Sequence, residues 1–147
     1  MKFIYTRPDG GVSIVVGAPG IPKKQVLKKS IPTEATNVRD LTDEDVPSDR
    51  YFRNAWTDAL PGTQIDVDMD KARVIHRTHI RRSRDKELAR LDIEQLKVLT
   101  DPVKLQEIEA QKQILRDLPQ TFDLTVVNSP VALKVLWPSQ IPDDRNL

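Results

Sequence analysis

The sequence predicts an α+β fold: a β-hairpin and an extended arm come first, and a long helix then forms an antiparallel helical hairpin with a second helix, followed by a short closing helix. The prediction depends on where glycine and proline occur. All five glycines lie at or before Gly62, and no proline lies between Pro61 and Pro102. Tight turns are therefore concentrated before residue 62, and long helices fit only after it. We expect two domains, residues 1–62 and 63–147.

The chain begins with the pattern of a β-hairpin. Lys2–Arg7 alternates in polarity and is rich in residues that favour strands, and Val12–Val16 is the expected return strand. Between them, Pro8–Gly11 supplies the residue types that tight turns prefer. We therefore expect two antiparallel strands joined at residues 8–11.

An acidic arm follows at residues 31–50. It holds six acids and two arginines, and Pro32 and Pro47 interrupt it. A segment of this composition has little apolar surface to bury. We expect it to be extended, with one short strand at Ala35–Leu41.

Three of the chain's seven aromatic residues then occur close together, at Tyr51, Phe52 and Trp56. The favoured interpretation is a local core that packs against the hairpin. The alternative is contact with another chain, because large aromatic side chains are the usual anchors of protein interfaces. These residues are therefore candidate partner-binding residues.

The second part begins with a long predicted helix. Asp68 is a suitable N-cap, and Asp70 places a negative charge where the helix dipole favours it. No helix breaker occurs from Met69 to about Leu99, a length of roughly 45 Å at 1.5 Å per residue. The apolar residues are gathered in the C-terminal half of this helix, and the N-terminal half is mainly charged. We expect packing along only part of its length.

Two further helices are marked by cap pairs. Asp101 and Pro102 begin the second helix, which we expect to end near Leu118 because Pro119 follows. The short connection predicts an antiparallel hairpin, in which Leu88–Leu99 faces Leu105–Leu118. A second cap pair, Ser129-Pro130, predicts a short helix to Leu136. Trp137 should then fold back and close the open side of the hairpin.

The composition excludes several classes of protein. The chain has no cysteine, which excludes disulfides, thiol catalysis and cysteine-ligated metal. Its net charge is +1, so the molecule as a whole is not attracted strongly to nucleic acid or to a membrane surface. The apolar run Val12–Ala18 is too short to span a bilayer, and the N-terminus lacks a signal peptide. We expect synthesis in the cytoplasm and no membrane association.

The basic stretch Lys71–Lys86 is the strongest electrostatic feature, with seven basic residues and one acid. Arginines repeat at the spacing of one helical turn, and like charges at that spacing repel. Three sources of negative charge remain open: acids of this chain or of a second copy, a partner protein, and nucleic acid. The first is favoured, with the acids Asp40, Asp43, Glu44, Asp45 and Asp49. The candidate arginines are Arg73, Arg77, Arg81 and Arg84.

No pattern predicts catalysis, a metal or a cofactor. His76 and His79 have the spacing of two ligands on one helix, but neighbouring arginines would repel a cation. Arg116 and Asp117 are adjacent, so on a helix they point apart and cannot form a catalytic dyad. We expect structural roles instead, with Arg116 paired to Asp92 and Asp117 fixing the turn at the following proline.

A discontinuous pattern at residues 69–138 resembles a known family. Its parts are Ile80-Arg81-x-x-Arg84-x-x-x-Leu88-x-x-Leu91-Asp92, then Gln113-Ile114-Leu115-Arg116-Asp117-Leu118-Pro119, and Trp137-Pro138. The order and spacing are similar to the C-terminal module of bacteriophage tail assembly and tail-fibre assembly chaperone proteins. Ile93 stands where that family often places an aromatic residue. The first part of the chain resembles uncharacterised phage-encoded proteins.

The resemblance implies a non-enzymatic tail protein that is associated with the fibre or baseplate and connects or assembles fibre chains. It implies a location in the virion tail after assembly in the host cytoplasm, and partners that are tail fibre or baseplate proteins and further copies of the chain. Leu88, Leu91 and Trp137 would form its small core. One alternative is a transient chaperone that is absent from the virion. Another is a nucleic-acid-binding protein that uses the basic helix at residues 71–86.

Overall fold

The computed structural model describes residues 1–59 and 64–147. Antiparallel strands precede two long helices and a short one, so the predicted α+β fold is confirmed. The chain divides into two compact units, Met1–Ala72 and Arg73–Leu147, which we name the sheet unit and the helical unit. The predicted domain boundary at residues 62 and 63 lies outside the described residues.

The predicted β-hairpin is formed by β1 (Lys2–Thr6) and β2 (Val12–Val16). The strands are antiparallel, and Ile4 lies opposite Ile14. Gly10 in the turn has a φ of 81°, a left-handed conformation that glycine adopts without the steric cost of a side chain. The turn chemistry in the sequence was therefore a reliable signal.

Part of the predicted arm is an edge strand of the same sheet. Strand β3 (Thr36–Leu41) pairs antiparallel with the other side of β1, giving the order β2-β1-β3. The strand expected at Ala35–Leu41 is thus confirmed to within one residue. Leu41 is buried, and this burial fixes which face of the acidic strand points inward.

A short helix in the sheet unit was not predicted. Helix α1 (Lys23–Ser30) begins directly after Pro22 and buries Val26. The Lys23 ammonium lies 5.5 Å from the centre of the Phe3 ring, which is itself buried. Eight residues with so few apolar side chains give too weak a periodic pattern to reveal a helix in the sequence.

The core of the sheet unit gathers residues that are distant in the sequence. Strands β4 (Trp56–Thr57) and β5 (Asp66–Val67) form a second, antiparallel pair. Trp56 thereby enters a buried cluster together with Ile4, Leu41 and Ile65. The partly buried side chains around this cluster are Val12, Ile14, Val46 and Val67.

The long helix α2 (Met69–Lys97) begins at the predicted cap. The Asp68 carboxylate accepts the backbone N–H groups of Asp70 at 3.0 Å and Lys71 at 3.2 Å. These bonds satisfy donors that the first turn of a helix leaves without a partner. The helix has 29 residues, close to the expected length.

Helix α3 (Pro102–Thr121) runs antiparallel to the C-terminal half of α2. Its N-cap is Asp101, which accepts the Lys104 N–H at 3.2 Å, as predicted. The Lys112 ammonium bridges to α2, where it lies 2.6 Å from an Asp92 oxygen and 2.9 Å from the Gln95 amide oxygen. The predicted helical hairpin is therefore present.

The prediction that Pro119 ends α3 was wrong, because the helix continues to Thr121. A proline removes only its own N–H from the helical ladder, and near a C-terminus few later bonds depend on it. The Phe122 N–H donates to the Leu118 carbonyl at 2.9 Å, and the Thr121 hydroxyl donates to the Asp117 carbonyl at 3.2 Å. These bonds complete the last turn.

Helix α4 (Pro130–Val135) is the predicted short closing helix. Its N-cap Ser129 accepts the Ala132 N–H at 3.2 Å, which confirms the second cap pair. Leu133 of this helix is fully buried. The other buried apolar side chains of the helical unit include Ile80, Leu91, Leu115, Leu118, Leu124 and Ile141.

None of the helices within residues 1–59 and 64–147 combines the length and the apolar composition that crossing a bilayer requires.

Candidate functional site

The aromatic cluster lies largely inside the sheet unit. Phe52 is 4% exposed and Trp56 is 3% exposed. Tyr51 is half-buried, and its ring meets the Phe52 ring edge-on at 4.7 Å. This placement favours the local-core interpretation and corrects the expectation that Phe52 and Trp56 present surface to a partner.

Sequence reasoning missed a buried ion pair in the sheet unit. The Asp58 side chain has no exposed surface, and both of its oxygens accept from the Arg39 guanidinium at 2.9 Å. The bond to Asp58 raises the pKa of Arg39 above its ordinary value. The pair joins β3 to the residues after β4. No spacing in the sequence pointed to it, because the two residues meet only when the sheet forms.

Several acids that we expected to neutralise the basic helix are bonded within the sheet unit. Asp43 forms an ion pair with Lys2, and Asp40 lies 2.7 Å from the Lys23 ammonium. Asp45 accepts from the backbone and hydroxyl of Thr42. These acids are therefore used in stabilising the sheet unit.

Two of the candidate arginines are bonded within the helical unit, and Arg73 joins two of its segments. Arg73 donates to the carbonyls of Leu124 at 3.3 Å and Val127 at 3.1 Å, and to the side-chain oxygen of Asn128 at 3.2 Å. Arg84 bonds the adjacent Asp85 at 2.8 Å. Part of the positive charge of α2 thus anchors the chain that follows α3.

The other three arginines of this stretch are Arg77, Arg81 and Arg82. Within the described ranges, no hydrogen bond or ion pair engages Arg77, Arg81 or Arg82. Arg81 and Arg82 are exposed. Arg77 is half-buried, and with Arg73 it adds to the lowering of the Asp123 pKa, whose main cause is the bonds from Thr125. These arginines remain candidates for contact with an anionic partner.

The C-terminal segment, residues 136–145, covers the charged half of α2. The His76 Nε2 lies 2.6 Å from the Leu136 carbonyl, and the Ser83 hydroxyl donates to the Pro142 carbonyl at 2.9 Å. Both of these polar side chains are buried, as is Ile80 between them. This charged half of α2 is therefore packed, because the segment supplies carbonyl acceptors for its polar groups.

Trp137 packs against this half of the helix. Its ring meets the His76 ring edge-on at 5.7 Å, and its indole N–H donates to the Pro142 carbonyl at 3.3 Å. The Arg145 guanidinium lies 3.9 Å from the centre of the indole ring and donates to the Lys134 carbonyl at 2.7 Å. Trp137 was expected to close the open side of the hairpin. Its ring packs instead against His76, near the start of α2. Arg145 carried no recognisable signal in the sequence.

The two histidines are packed side chains. Burial lowers the pKa of His76, and Arg145 and His79 act in the same direction, against the Leu136 bond and Asp143. Burial also lowers the pKa of His79. In the part of the chain that the structure describes, no group of three or more histidine, aspartate or glutamate side chains could hold a metal ion.

The predicted motif residues other than Trp137 lie on α2 and α3, and one predicted contact between them is corrected. Leu91 and Leu115 are buried and Leu88 is half-buried, as expected of core positions. Asp92 pairs with Lys112 rather than with Arg116. Lys112 is buried on the side of α3 that faces α2, so its ammonium reaches the aspartate directly.

Arg116 and Asp117 lie on the outer side of α3. Arg116 donates to Glu109 at 2.8 Å and to the Gln113 amide oxygen at 3.3 Å. Asp117 accepts from the Gln113 side-chain amide at 3.1 Å. All four groups are on one helix and exposed, so these bonds support α3 locally and do not join the two helices.

The hairpin tip, which we define as Ile93, Leu96, Leu99 and Val103, exposes large apolar side chains. Their exposed fractions are 57%, 68%, 61% and 66%, respectively. The expectation that Leu88–Leu99 faces Leu105–Leu118 is therefore corrected for Ile93, Leu96 and Leu99, which are exposed. Exposed apolar surface of this kind is typical of interaction sites.

A second apolar surface lies near α4. Val131 is 76% exposed and Val135 is 71% exposed, and they are one turn apart on the helix. Val126, in the preceding loop, is 65% exposed. We name these three residues the valine surface.

The two apolar surfaces are far apart. The chain around the valine surface is attached to the start of α2, through Arg73 and His76. The hairpin tip begins near the end of α2, and twenty helical residues between His76 and Leu96 correspond to about 30 Å. The helical unit therefore presents two separate apolar surfaces.

Two cavities of the sheet unit are lined in part by charged side chains that are already bonded within the unit. One of about 400 Å³ is lined by Asp43, Glu44 and Asp45 with neighbouring residues. Another of about 190 Å³ is lined by Arg7, Arg53 and other residues along β2. In the first, Asp43 and Asp45 are already bonded within the unit, and in the second Arg7 donates to the Val12 carbonyl at 2.9 Å.

No protein-family model, curated protein or solved structure matched this chain.

Proposed function

We propose that the chain is a non-enzymatic bacteriophage tail protein, a fibre- or baseplate-associated component that connects or assembles tail fibre chains. The proposal includes its retention in the virion tail after assembly in the host cytoplasm. It rests on the resemblance of residues 69–138 to tail assembly and tail-fibre assembly chaperone proteins, and on the surfaces of the unit that contains this module.

The observation that carries the proposal is the pair of apolar surfaces on the helical unit. A connector needs two binding surfaces that do not overlap, and the hairpin tip and the valine surface are about 30 Å apart along α2. Both consist of side chains that are more than half exposed. Apolar surface that the folded chain leaves in water favours protein partners.

The valine surface is the proposed contact with a tail fibre or baseplate chain. It follows the loop that Arg73 anchors, and Arg77 and Arg81 follow Arg73 on α2 at intervals of four residues. Acidic residues around the matching surface of the fibre chain would be complementary in charge to these arginines. The basic helix would then have the partner-binding role that the sequence predicts for it.

Mass spectrometry of purified particles tests the proposal. We expect the chain at a fixed ratio to fibre or baseplate protein in assembled virions. Its absence from particles, together with a complex with fibre protein in infected-cell lysate, would instead identify a transient assembly chaperone. Absence from both would refute the tail assignment.

A matched pair of variants tests the assigned surface. The Val131→Glu and Val135→Glu double variant should lose most co-purification with the tail protein, because two charges enter an apolar contact. The control is Ile114→Glu, which changes an exposed apolar residue on α3 outside both surfaces and should retain binding. Equal loss in both variants would contradict the assignment.

Nucleic-acid binding is the second candidate function. The observation that favours it is the group of arginines, Arg77, Arg81 and Arg82, that no hydrogen bond or ion pair engages within the described residues. Salt-sensitive binding to unrelated DNA would support it. The low net charge of +1 favours the protein partner instead.

A further inference from the structure

Strand β2 is an edge of the three-stranded sheet, and the register of the hairpin shows which of its backbone groups point outward. At the turn the Arg7 N–H donates to the Gly11 carbonyl at 2.8 Å, and at the other end the Gly17 N–H donates to the Met1 carbonyl at 2.9 Å. Bonded and non-bonded pairs alternate along an antiparallel ladder, so the odd-numbered residues of β2 are the ones that bond β1. The residues whose backbone groups point away from β1 are Val12, Ile14 and Val16.

The outward backbone groups of Ile14 and Val16 have no hydrogen-bond partner in the part of the chain that the structure describes. At one end of this edge the Val12 carbonyl accepts from the Arg7 guanidinium at 2.9 Å. Beyond that bond, two donors and two acceptors on successive outward residues are available. An edge strand with such groups is a template for pairing with another extended backbone.

The opposite edge of the sheet is protected against an added strand. In β3, Asn37 has a left-handed φ of 50°, and the register against β1 is irregular. Strand β3 also carries the charges of Arg39 and Asp40. Irregularity and charge are the devices by which sheet edges avoid further pairing. Strand β2 has a regular register and no charged residue, and its sequence Val-Ser-Ile-Val-Val favours strands.

A cavity of about 190 Å³ lies beside the β2 edge. Besides residues of β2, its lining includes Arg7, Arg53, Asn54 and Trp56. Arg7 is paired with Asp9 at 3.2 Å, whereas no hydrogen bond or ion pair engages the exposed Arg53 guanidinium within residues 1–59 and 64–147. The cavity therefore carries one positive charge that the described residues do not neutralise.

We propose that the outer edge of β2 binds an extended segment of a partner protein as an added strand, and that an acidic side chain of this segment enters the cavity beside Arg53. An extended backbone supplies donors and acceptors at the spacing that Ile14 and Val16 require. Directly opposite residues of antiparallel strands point to the same face. Ile14 packs on the face that contains Trp56, so a partner residue opposite Ile14 would direct its side chain towards the cavity.

The charge of the cavity favours a partner segment over the β2 strand of a second copy. Residues 12–16 contain no acid, so pairing of two β2 strands would bring no carboxylate from either strand to Arg53. A segment with an acidic residue among β-favouring residues satisfies the backbone groups and the arginine together.

This site belongs to the sheet unit, whereas the proposed tail function rests on surfaces of the helical unit. Failure of strand binding would leave the tail proposal unaffected. A peptide that binds β2 would likewise leave open whether the chain occurs in virions.

A synthetic peptide with capped ends, made of alternating valine and threonine with one central glutamate, is the probe. Titration of the full chain, followed by amide proton–nitrogen NMR spectra, should shift the Ile14 and Val16 amide signals most strongly. The same peptide with glutamine in place of glutamate should bind roughly three- to fivefold more weakly, because it lacks the charge that pairs with Arg53.

Two matched pairs of variants separate the charge from the backbone. Arg53→Gln should remove the preference for the glutamate peptide, whereas Arg50→Gln, an equal charge change at an exposed residue that does not line the cavity, should retain it. Val16→Pro removes an outward N–H and should weaken both peptides, whereas Val16→Thr keeps that N–H and should bind as the natural chain does. Val16 is 65% exposed, so we expect both of its variants to fold, which far-UV circular dichroism checks.

Three results would overturn the proposal. The first is no shift of the β2 amides with peptide up to about 1 mM. The second is equal affinity of the glutamate and glutamine peptides for the natural chain. The third is dimerisation of the chain alone that Val16→Pro abolishes in sedimentation velocity, which would make a second copy the occupant of the edge.

Discussion

At the scale of single residues, the two units differ in how they use buried polar groups. The sheet unit buries Asp58 and satisfies both oxygens with the Arg39 guanidinium. The helical unit buries His76 and Ser83 and satisfies them with carbonyls of the C-terminal segment. In each case the hydrogen bonds of a buried side chain hold a segment without regular structure in place. Moving the segment away would leave a buried polar group unpaired, which costs free energy.

Removing the buried carboxylate should destabilise the sheet unit. We expect Asp58→Ala to lower the free energy of unfolding by about 3 kcal/mol, because Arg39 loses its partner in a largely buried site. Urea denaturation followed by Trp56 fluorescence, in a Trp137→Phe background, measures this change. Asp43→Ala is the control and should cost less than about 1 kcal/mol, since its pair with Lys2 is exposed. Equal effects would show that burial of the pair is unimportant.

His76 should make the stability of the helical unit depend on pH. Its pKa is lowered by burial, so the unfolded chain binds the proton more tightly than the folded chain does. The free energy of unfolding should therefore fall as the pH decreases below about 6.5, and this contribution should be constant above that value.

Replacement of His76 isolates this effect. The His76→Phe variant keeps a ring beside Trp137 but cannot titrate, so the slope of stability against pH between about 7.5 and 5.5 should decrease. His79→Gln is the companion variant, because the pKa of His79 is also lowered by burial. An unchanged slope in His76→Phe would exclude His76 as the cause. Urea denaturation followed by far-UV circular dichroism supplies the data.

At the scale of elements, the C-terminal segment decides how the long helix is packed. It covers the half of α2 that is richest in charge, through the contacts of Leu136 and Trp137 with His76 and of Pro142 with Ser83. The half that is richest in leucine ends in the exposed hairpin tip. Which half of α2 is covered therefore depends on where the C-terminal segment lies, and not on how many apolar residues that half contains.

Arg145 should be the main polar anchor of that segment. We expect Arg145→Ala to lower the free energy of unfolding by about 2–3 kcal/mol, because the bond to the Lys134 carbonyl and the stacking on Trp137 are lost together. Lys86→Ala removes an exposed ion pair to Asp144 and should cost less than about 1 kcal/mol. Chemical denaturation of both variants compares them. A larger cost for Lys86→Ala would contradict this role for Arg145.

At the scale of the whole molecule, the charge is nearly balanced even though α2 is locally basic. The net charge is +1, and much of the local positive charge is bonded within its own unit. Affinity for a polyanion therefore depends on the few arginines that face solvent, and a protein partner with a small acidic rim suits them better.

DNA binding should accordingly be weak. We expect fluorescence anisotropy to detect no saturable binding to unrelated duplex DNA at physiological salt. Any binding at low salt should decrease further in the Arg77→Ala, Arg81→Ala and Arg82→Ala triple variant, because each phosphate contact adds to the salt dependence. Tight binding at physiological salt that this variant abolishes would move the nucleic-acid function ahead of the tail proposal.

The sequence by itself determined the elements whose signals are local. The hairpin turn at Pro8–Gly11, and the helix caps Asp68, Asp101 and Ser129, were identified correctly, because their chemistry acts within a few residues. Helix α1 and the continuation of α3 past Pro119 were missed, because those local signals were weak or misleading.

Only the tertiary structure decided which faces are covered. The pairing of Arg39 with Asp58 and the packing of Trp137 on His76 join residues that are far apart in the sequence. The exposure of the hairpin tip is likewise a property of the fold. The periodicity of apolar and charged residues predicts that a helix or strand has an apolar face. It does not predict which later segment of the chain packs on that face. For this reason the candidate surface moved from the aromatic cluster, which the fold buries, to apolar residues that the fold leaves in water.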